Sequence, residues 1–232
     1  MRMEVKKAAQ LSLLGAQARR SALEMVYRAT SGHLGGSMSL CEILSVLYFD
    51  TMRIDPAKPD DPDRDRFVLS KGHCTPALYS VLAMRGFFPR EMLSTFRSID
   101  GHLSGHAEMR HVPGVDMSTG SLGQGISTAV GMALAGQVDK KGQVWEAAMA
   151  AGNYHLDNLC VFVDNNNIQI DGTLEEIMSP YPIDKKFEAF NWHVECCDGH
   201  DVTAIAAALE NAKDAKGKPT VIIARTVKGK GV

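Results

Sequence analysis

Three features of the sequence predict an α/β fold, a doubly wound and mainly parallel sheet with helices on both faces. Apolar, β-prone runs at Leu159 to Val163, Val194 to Cys197 and Thr220 to Thr226 are each consistent with a strand buried on both faces. Helical patterns alternate with such runs, and Asp201 is placed to cap a helix from Val202 to Lys213 between the last two. No repeat, low-complexity tract or Pro/Gly linker interrupts the chain, so residues 1–232 read as one domain.

From the N-terminus, Leu11, Leu14, Ala18, Ser21 and Met25 recur at helical spacing and give a first helix that stops near Thr30-Ser31-Gly32. Ser39-Leu40-Cys41-Glu42 has the spacing of a capping box and predicts a second helix through Tyr48. Pro56, Pro59 and Pro62 mark an extended connection. Phe67 to Ser70 reads as a short buried strand, after which Thr75 and Pro76 suit the N-cap and first position of a helix ending at Gly86. An apolar helix is expected from Ile126 to about Ala135.

Composition narrows the function. The 232 residues are 45% apolar and 22% charged, ordinary for a globular protein, and the net charge of -2 with no Lys/Arg run excludes a nucleic-acid footprint. The five cysteines, Cys41, Cys74, Cys160, Cys196 and Cys197, form no CxxC, so neither a disulfide framework nor a thiolate zinc site is indicated, and a reducing cytoplasm fits. The apolar run Leu11 to Ala16 is too short for a signal peptide or a membrane span.

Ligands of doubly wound sheets bind at the carboxyl ends of the strands, so the loops there carry the candidate chemistry. His33, His73 and His106 each sit in a glycine-containing loop, where a ligand can come close and an imidazole can exchange a proton near neutral pH. A single loop histidine is more often structural; three in similar settings point to a polar pocket. Ser118 to Gly125 is a glycine-rich turn before a helix, open equally to ligand binding and to close helix packing. Asp164-Asn165-Asn166-Asn167-Ile168 sets amide and carboxylate oxygens after a strand, which suits either a hard cation such as Mg2+ or an Asn/Asp turn.

Read in order, SGHLGGSMS, FVLSKGH, DGHLSGHAE, PGVDMSTGSLGQGIS, GQVWEAAM, DNLCVFVDNNNIQIDG and KPTVIIARTVKGKGV resemble the N-terminal part of transketolase over essentially the entire chain. The resemblance implies a thiamine diphosphate-binding fold and transfer of a two-carbon ketol unit between sugar phosphates, with thiamine diphosphate as the electron sink and Mg2+ (or Ca2+ or Mn2+) at its diphosphate. It maps Asn166 and the Ile168 carbonyl to the metal, and His73, Gly120, Leu122 and Asn166 to the cofactor. His33, His73 and His106 match histidines that contact cofactor or sugar and assist proton transfer, worth ~10²–10⁴ each. Glu146 matches a glutamate in a carboxylate network between paired active sites.

The family's activating glutamate lies in a pyrimidine-binding module that this sequence does not contain. The resemblance therefore implies a partner subunit carrying that module, in a dimer of heterodimers. Between Gln137 and Gln143 roughly fifteen residues of the family pattern are missing, among them a central strand and the remaining metal aspartate. The family's next segment after Val232, with another substrate histidine, is missing too. Both breaks fall at loops a ligand orders, so these stretches are expected to belong to the full protein; a true deletion would leave weak or absent metal binding. The competing functions are a synthase joining pyruvate to a triose phosphate (1-deoxyxylulose-5-phosphate synthase), a dihydroxyacetone synthase, and a non-catalytic subunit.

Overall fold

A computed structural model describes residues 3–134, 144–169 and 172–232. The chain opens with α1 (Val5–Ala29), α2 (Leu34–Met38) and α3 (Cys41–Val46), the last running into a π-helical turn at Leu47–Thr51. Next come α4 (Thr75–Arg85), a 3₁₀ turn at Arg90–Thr95, α5 (Gly125–Ala133) and α6 (Val144–Asn153). The second half holds β1 (Cys160–Asn165), the small hairpin β2 (Ile168–Gln169) and β3 (Gly172–Thr173), α7 (Leu174–Ile177), α8 (Ile183–Ala189), β4 (His193–Asp198), α9 (Val202–Asp214) and β5 (Thr220–Arg225). The connection at 137–143, where the family pattern breaks, lies outside the described residues.

β5 is the centre of a parallel three-stranded sheet in the order β1-β5-β4, with Val163 and Cys196 both opposite Ile223. Its side chains alternate between two cores, as strand geometry requires. Ile222 and Ala224 join α1, α3, α4 and α9 on one face; Val221 and Ile223 join α5, α6 and α8 on the other. This is the doubly wound arrangement. The expectation of burial on both faces holds for β5, which is buried from Thr220 to Ala224, while β1 and β4 are only partly buried because each flanks it on one side.

α1 ends as expected, with Thr30 in the left-handed conformation (φ 48°) closing its last turn. Its buried stripe is Leu11, Gly15, Ala18, Ala22 and Met25; Leu14 and Ser21 flank it rather than fill it. Asp201 caps α9 through the Thr203 amide at 2.8 Å.

Three local expectations are corrected. The capping box at Ser39 and Glu42 does not form, because both side chains are taken by distant partners: Ser39 Oγ donates to Asp164 at 2.6 Å, and Glu42 accepts from Arg19. α4 starts one residue earlier than expected, with Thr75 already helical and Cys74 at the N-cap, and the Thr75 hydroxyl donates to the Gly105 carbonyl at 3.1 Å instead of capping. Phe67 to Ser70 is not a strand. Among the described residues no strand pairs with it, and side chains serve its backbone: Asp116 Oδ2 accepts from the Phe67 amide at 2.7 Å, and the Thr119 hydroxyl donates to the Leu69 carbonyl at 2.6 Å.

Candidate active site

Three loops are stitched together above α4. The Ala107 amide donates to the Gly72 carbonyl and the Thr119 amide to the Ala107 carbonyl, both at 3.1 Å. Glycine is required where they touch, since a Cβ on Gly72 would lie 2.2 Å from the Thr119 carbonyl oxygen and one on Gly125 2.6 Å from Ser70 Cα. The stitching sets His73 beside His106, and Lys71 Nζ, donating to the Gly36 carbonyl at 2.7 Å, ties in the loop of His33, whose ring lies 5.0 Å from that of His73 and 6.2 Å from that of His106. Gly120 joins them, as its Cβ position is 3.7 Å from the His106 ring. A cleft of about 490 Å³ opens beside His106, lined also by Ser104, Glu108, His111, Ser118 and Thr119.

Burial and nearby cations disfavour the charged form of His33 and His73. Burial first, then the positive charge of His33, Lys71 and His106, pushes His73 down to about 4. His33 is lowered by burial, then by Arg97 and His106. In the neutral form favoured at His33 and His73 an imidazole keeps one donor and one acceptor, which suits contact with sugar hydroxyls and proton exchange at them.

Lys71, which sequence reasoning passed over, anchors the floor. Its Nζ donates to the Gly36 carbonyl at 2.7 Å, to Ser39 Oγ at 3.2 Å and to Asp164 Oδ2 in a tight ion pair. Asp164 also accepts from the Thr226 hydroxyl. Burial alone raises a carboxyl, but the Lys71 charge and the bonds from Lys71, Ser39 and Thr226 outweigh it and hold Asp164 below its usual range. The signal for Lys71 was its place between an extended run and a helix, in Ser70-Lys71-Gly72-His73.

Gly35 and Gly36 form a close-packed cradle of bare backbone on this floor. A Cβ on Gly36 would sit 2.7 Å from Cys74 Sγ and 3.6 Å from His73 Nε2, and one on Gly35 3.0 Å from the Lys228 side chain, which runs across it. Lys71, His73 Nε2 and the stem of Lys228 thus pack against bare glycine backbone, a polar and cationic setting that suits an anionic group. Lys228, too, was missed from sequence; it lies in the glycine-rich run Lys228-Gly229-Lys230-Gly231.

The remaining expected residues lie around this centre. Asn166 and Ile168 follow β1, with the Ile168 amide donating to Asn166 Oδ1 at 3.1 Å and Asn167 left-handed (φ 58°) between them. They bring two neutral oxygens, the described residues contain no group of three His, Cys, Asp or Glu that would hold a metal, and Asp164 is already engaged. The donor set therefore fits a hard cation only in part. Leu122 is 71% exposed. Glu146 is exposed in the first turn of α6 and makes no hydrogen bond or ion pair among the described residues, so it is not brought to the histidines.

Comparison with known proteins agrees with this geometry. The profile described as "Transketolase, thiamine diphosphate binding domain" matches residues 12–142 and 136–232. A 6-deoxy-6-sulfo-D-fructose transketolase subunit of Clostridium sp. (strain MSTE9) is 49% identical over 228 residues, covering 92% of this chain and 83% of the relative. A subunit of the apulose-4-phosphate transketolase of Phocaeicola vulgatus is 41% identical, covering 96% of this chain and 84% of the relative. Among solved structures, the transketolase of Campylobacter jejuni superposes with a TM-score of 0.89 at 34% identity; the match covers 99% of this chain but only 39% of that protein. With its histidine cluster and its three-layer fold, this chain belongs to the transketolase family, as an N-terminal, thiamine diphosphate-binding subunit of that transferase.

Proposed function

We propose that the chain is the diphosphate-binding half of a two-subunit transketolase that moves a two-carbon ketol unit from a ketose to an aldose phosphate. The observation that carries this is the convergence of His33, His73 and His106 beside the Gly35–Gly36 cradle and Lys228. Thiamine diphosphate, when bound, supplies the thiazolium electron sink for the transferred unit. His73 and Lys228 would hold its diphosphate, and Gly120 and Leu122 would line its aminopyrimidine. His33 and His106 would contact the sugar hydroxyls and move protons at their oxygens.

Mg2+, or Ca2+ or Mn2+ in its place, would take Asn166 Oδ1 and the Ile168 carbonyl, with further oxygens from the diphosphate. The family profile matches in two stretches that overlap at 136–142, which supports the reading of 1–232 as one domain interrupted there. Relatives named as subunits support a partner subunit. That it carries the pyrimidine-binding module, meets Glu146 and forms a dimer of heterodimers is part of this reading, with which the exposure of Glu146 on α6 is consistent. The names of these relatives, a sulfo-sugar and a sugar phosphate, support a ketose carrying an anionic tail as the substrate class. No described helix is long and apolar enough to cross a membrane, and the reducing composition supports a cytoplasmic site of action.

The test is to combine the chain with its partner, thiamine diphosphate and Mg2+, and to supply xylulose 5-phosphate and ribose 5-phosphate. Formation of a seven-carbon ketose phosphate is expected. Heat of cofactor binding without any ketol transfer would instead assign a non-catalytic role.

A further inference from the structure

A second polar chain runs through the interior, away from the histidine cluster. Arg19 Nη2 donates to both oxygens of Glu42, at 2.6 and 2.7 Å; Glu42 Oε2 lies 3.0 Å from His200 Nδ1; and His200 Nε2 lies 2.9 Å from the Val227 amide nitrogen. Side-chain exposure is 15% at Arg19, 10% at Glu42 and 9% at His200. An amide N–H only donates, so Nε2 presents its lone pair to Val227 and the ring proton sits on Nδ1, directed at Glu42. His200 is therefore a neutral imidazole of one fixed tautomer.

Its own loop is rigid. Asp198 Oδ1 accepts from the His200 amide at 2.8 Å, and the Gly199 amide donates to the Arg225 carbonyl at 2.8 Å. At the other end, the Gly229 amide donates to the Gly35 carbonyl at 3.1 Å. Lys228 lies between these two fixed points, with its stem across Gly35. Val227 is 55% exposed; its amide is held by His200, and its carbonyl accepts from the Lys230 amide at 3.2 Å.

We propose that His200 is a positioning residue for ligand binding: oriented by Arg19 and Glu42, it holds the Val227 amide so that Lys228 is set across the Gly35–Gly36 cradle. The inference rests on the functional reading above for the identity of the ligand. The competing explanation is that His200 only satisfies the buried Glu42 carboxylate.

Two amide substitutions separate these roles. In His200→Gln the side-chain oxygen reaches the place of Nε2 and keeps an acceptor for Val227; in His200→Asn the amide reaches only the place of Nδ1 and keeps a donor for Glu42. Two readouts are taken: hydrogen exchange at the Val227 amide in the full chain, and calorimetric titration of thiamine diphosphate with Mg2+ into the chain assembled with its partner. His200→Gln is expected to protect Val227 and to bind within about threefold of wild type, and His200→Asn to lose protection and bind roughly tenfold more weakly. The reverse order, or equal exchange in both variants, overturns the positioning role. If His200→Gln does not fold, His200→Asn decides alone: wild-type protection at Val227 overturns the proposal. No binding by the wild-type complex refutes the functional reading and with it the ligand half of the inference, whatever Val227 does.

Discussion

Lys71 and Asp164, 93 residues apart in sequence, form the ion pair that fastens the His73 corner to the end of β1. Both side chains are largely buried, with exposures of 18% and 10%. Breaking such a pair from one side leaves an uncompensated charge, so Asp164→Asn is expected to cost about 3–5 kcal/mol in urea denaturation. Replacing both with apolar residues is expected to recover much of that loss.

His73 makes stability pH-dependent in a defined direction. Its folded value of about 4 lies below the ordinary 6.5, so the unfolded chain takes up the proton first. The stabilising contribution is complete above pH 6.5 and is lost as pH falls from 6.5 towards 4. Denaturation midpoints measured across that window should fall with pH, and less steeply in His73→Gln. An NMR titration of the ring with a midpoint near 6.5 would refute the assignment.

Gly72 has no room for a side chain against the Thr119 carbonyl. Gly72→Ala is expected to cost about 1–3 kcal/mol by overpacking. It should also spread the histidine loops, so thermal melting and thiamine diphosphate binding should both weaken. Unchanged binding in a destabilised variant would show that the cluster does not depend on this contact.

Ile222 is fully buried on the face of β5 that meets α1, α3, α4 and α9. Ile222→Ala is expected to lower stability by roughly 2–5 kcal/mol, because transfer and cavity terms add. Exposed Ile177 supplies the control: Ile177→Ala should fall within about 0.5 kcal/mol of wild type in the same denaturation.

Periodicity and capping made the sheet strands, α1, α9 and the three histidine loops legible, because each follows from local pattern. What stayed hidden depends on partners far along the chain. Ser39 and Glu42 carry the signature of a capping box, yet the box that forms is Thr173 with Glu176, where no distant group competes for the side chains. Lys71 reads as a loop lysine until Asp164 is placed beside it. The order β1-β5-β4 could not be read either, since all three strands share the same apolar signature and only the crossovers decide which is central.

The backbone of Phe67 to Leu69, served by Asp116 and Thr119 in place of a neighbouring strand, separates two tasks that sheets usually combine. The Phe67 amide and the Leu69 carbonyl are served by side chains, and Asp116 is itself gripped by Arg64 and Arg66. The His73 corner thus takes part of its backbone support from loop side chains, and its tie to the sheet is concentrated in one ion pair, Lys71 with Asp164.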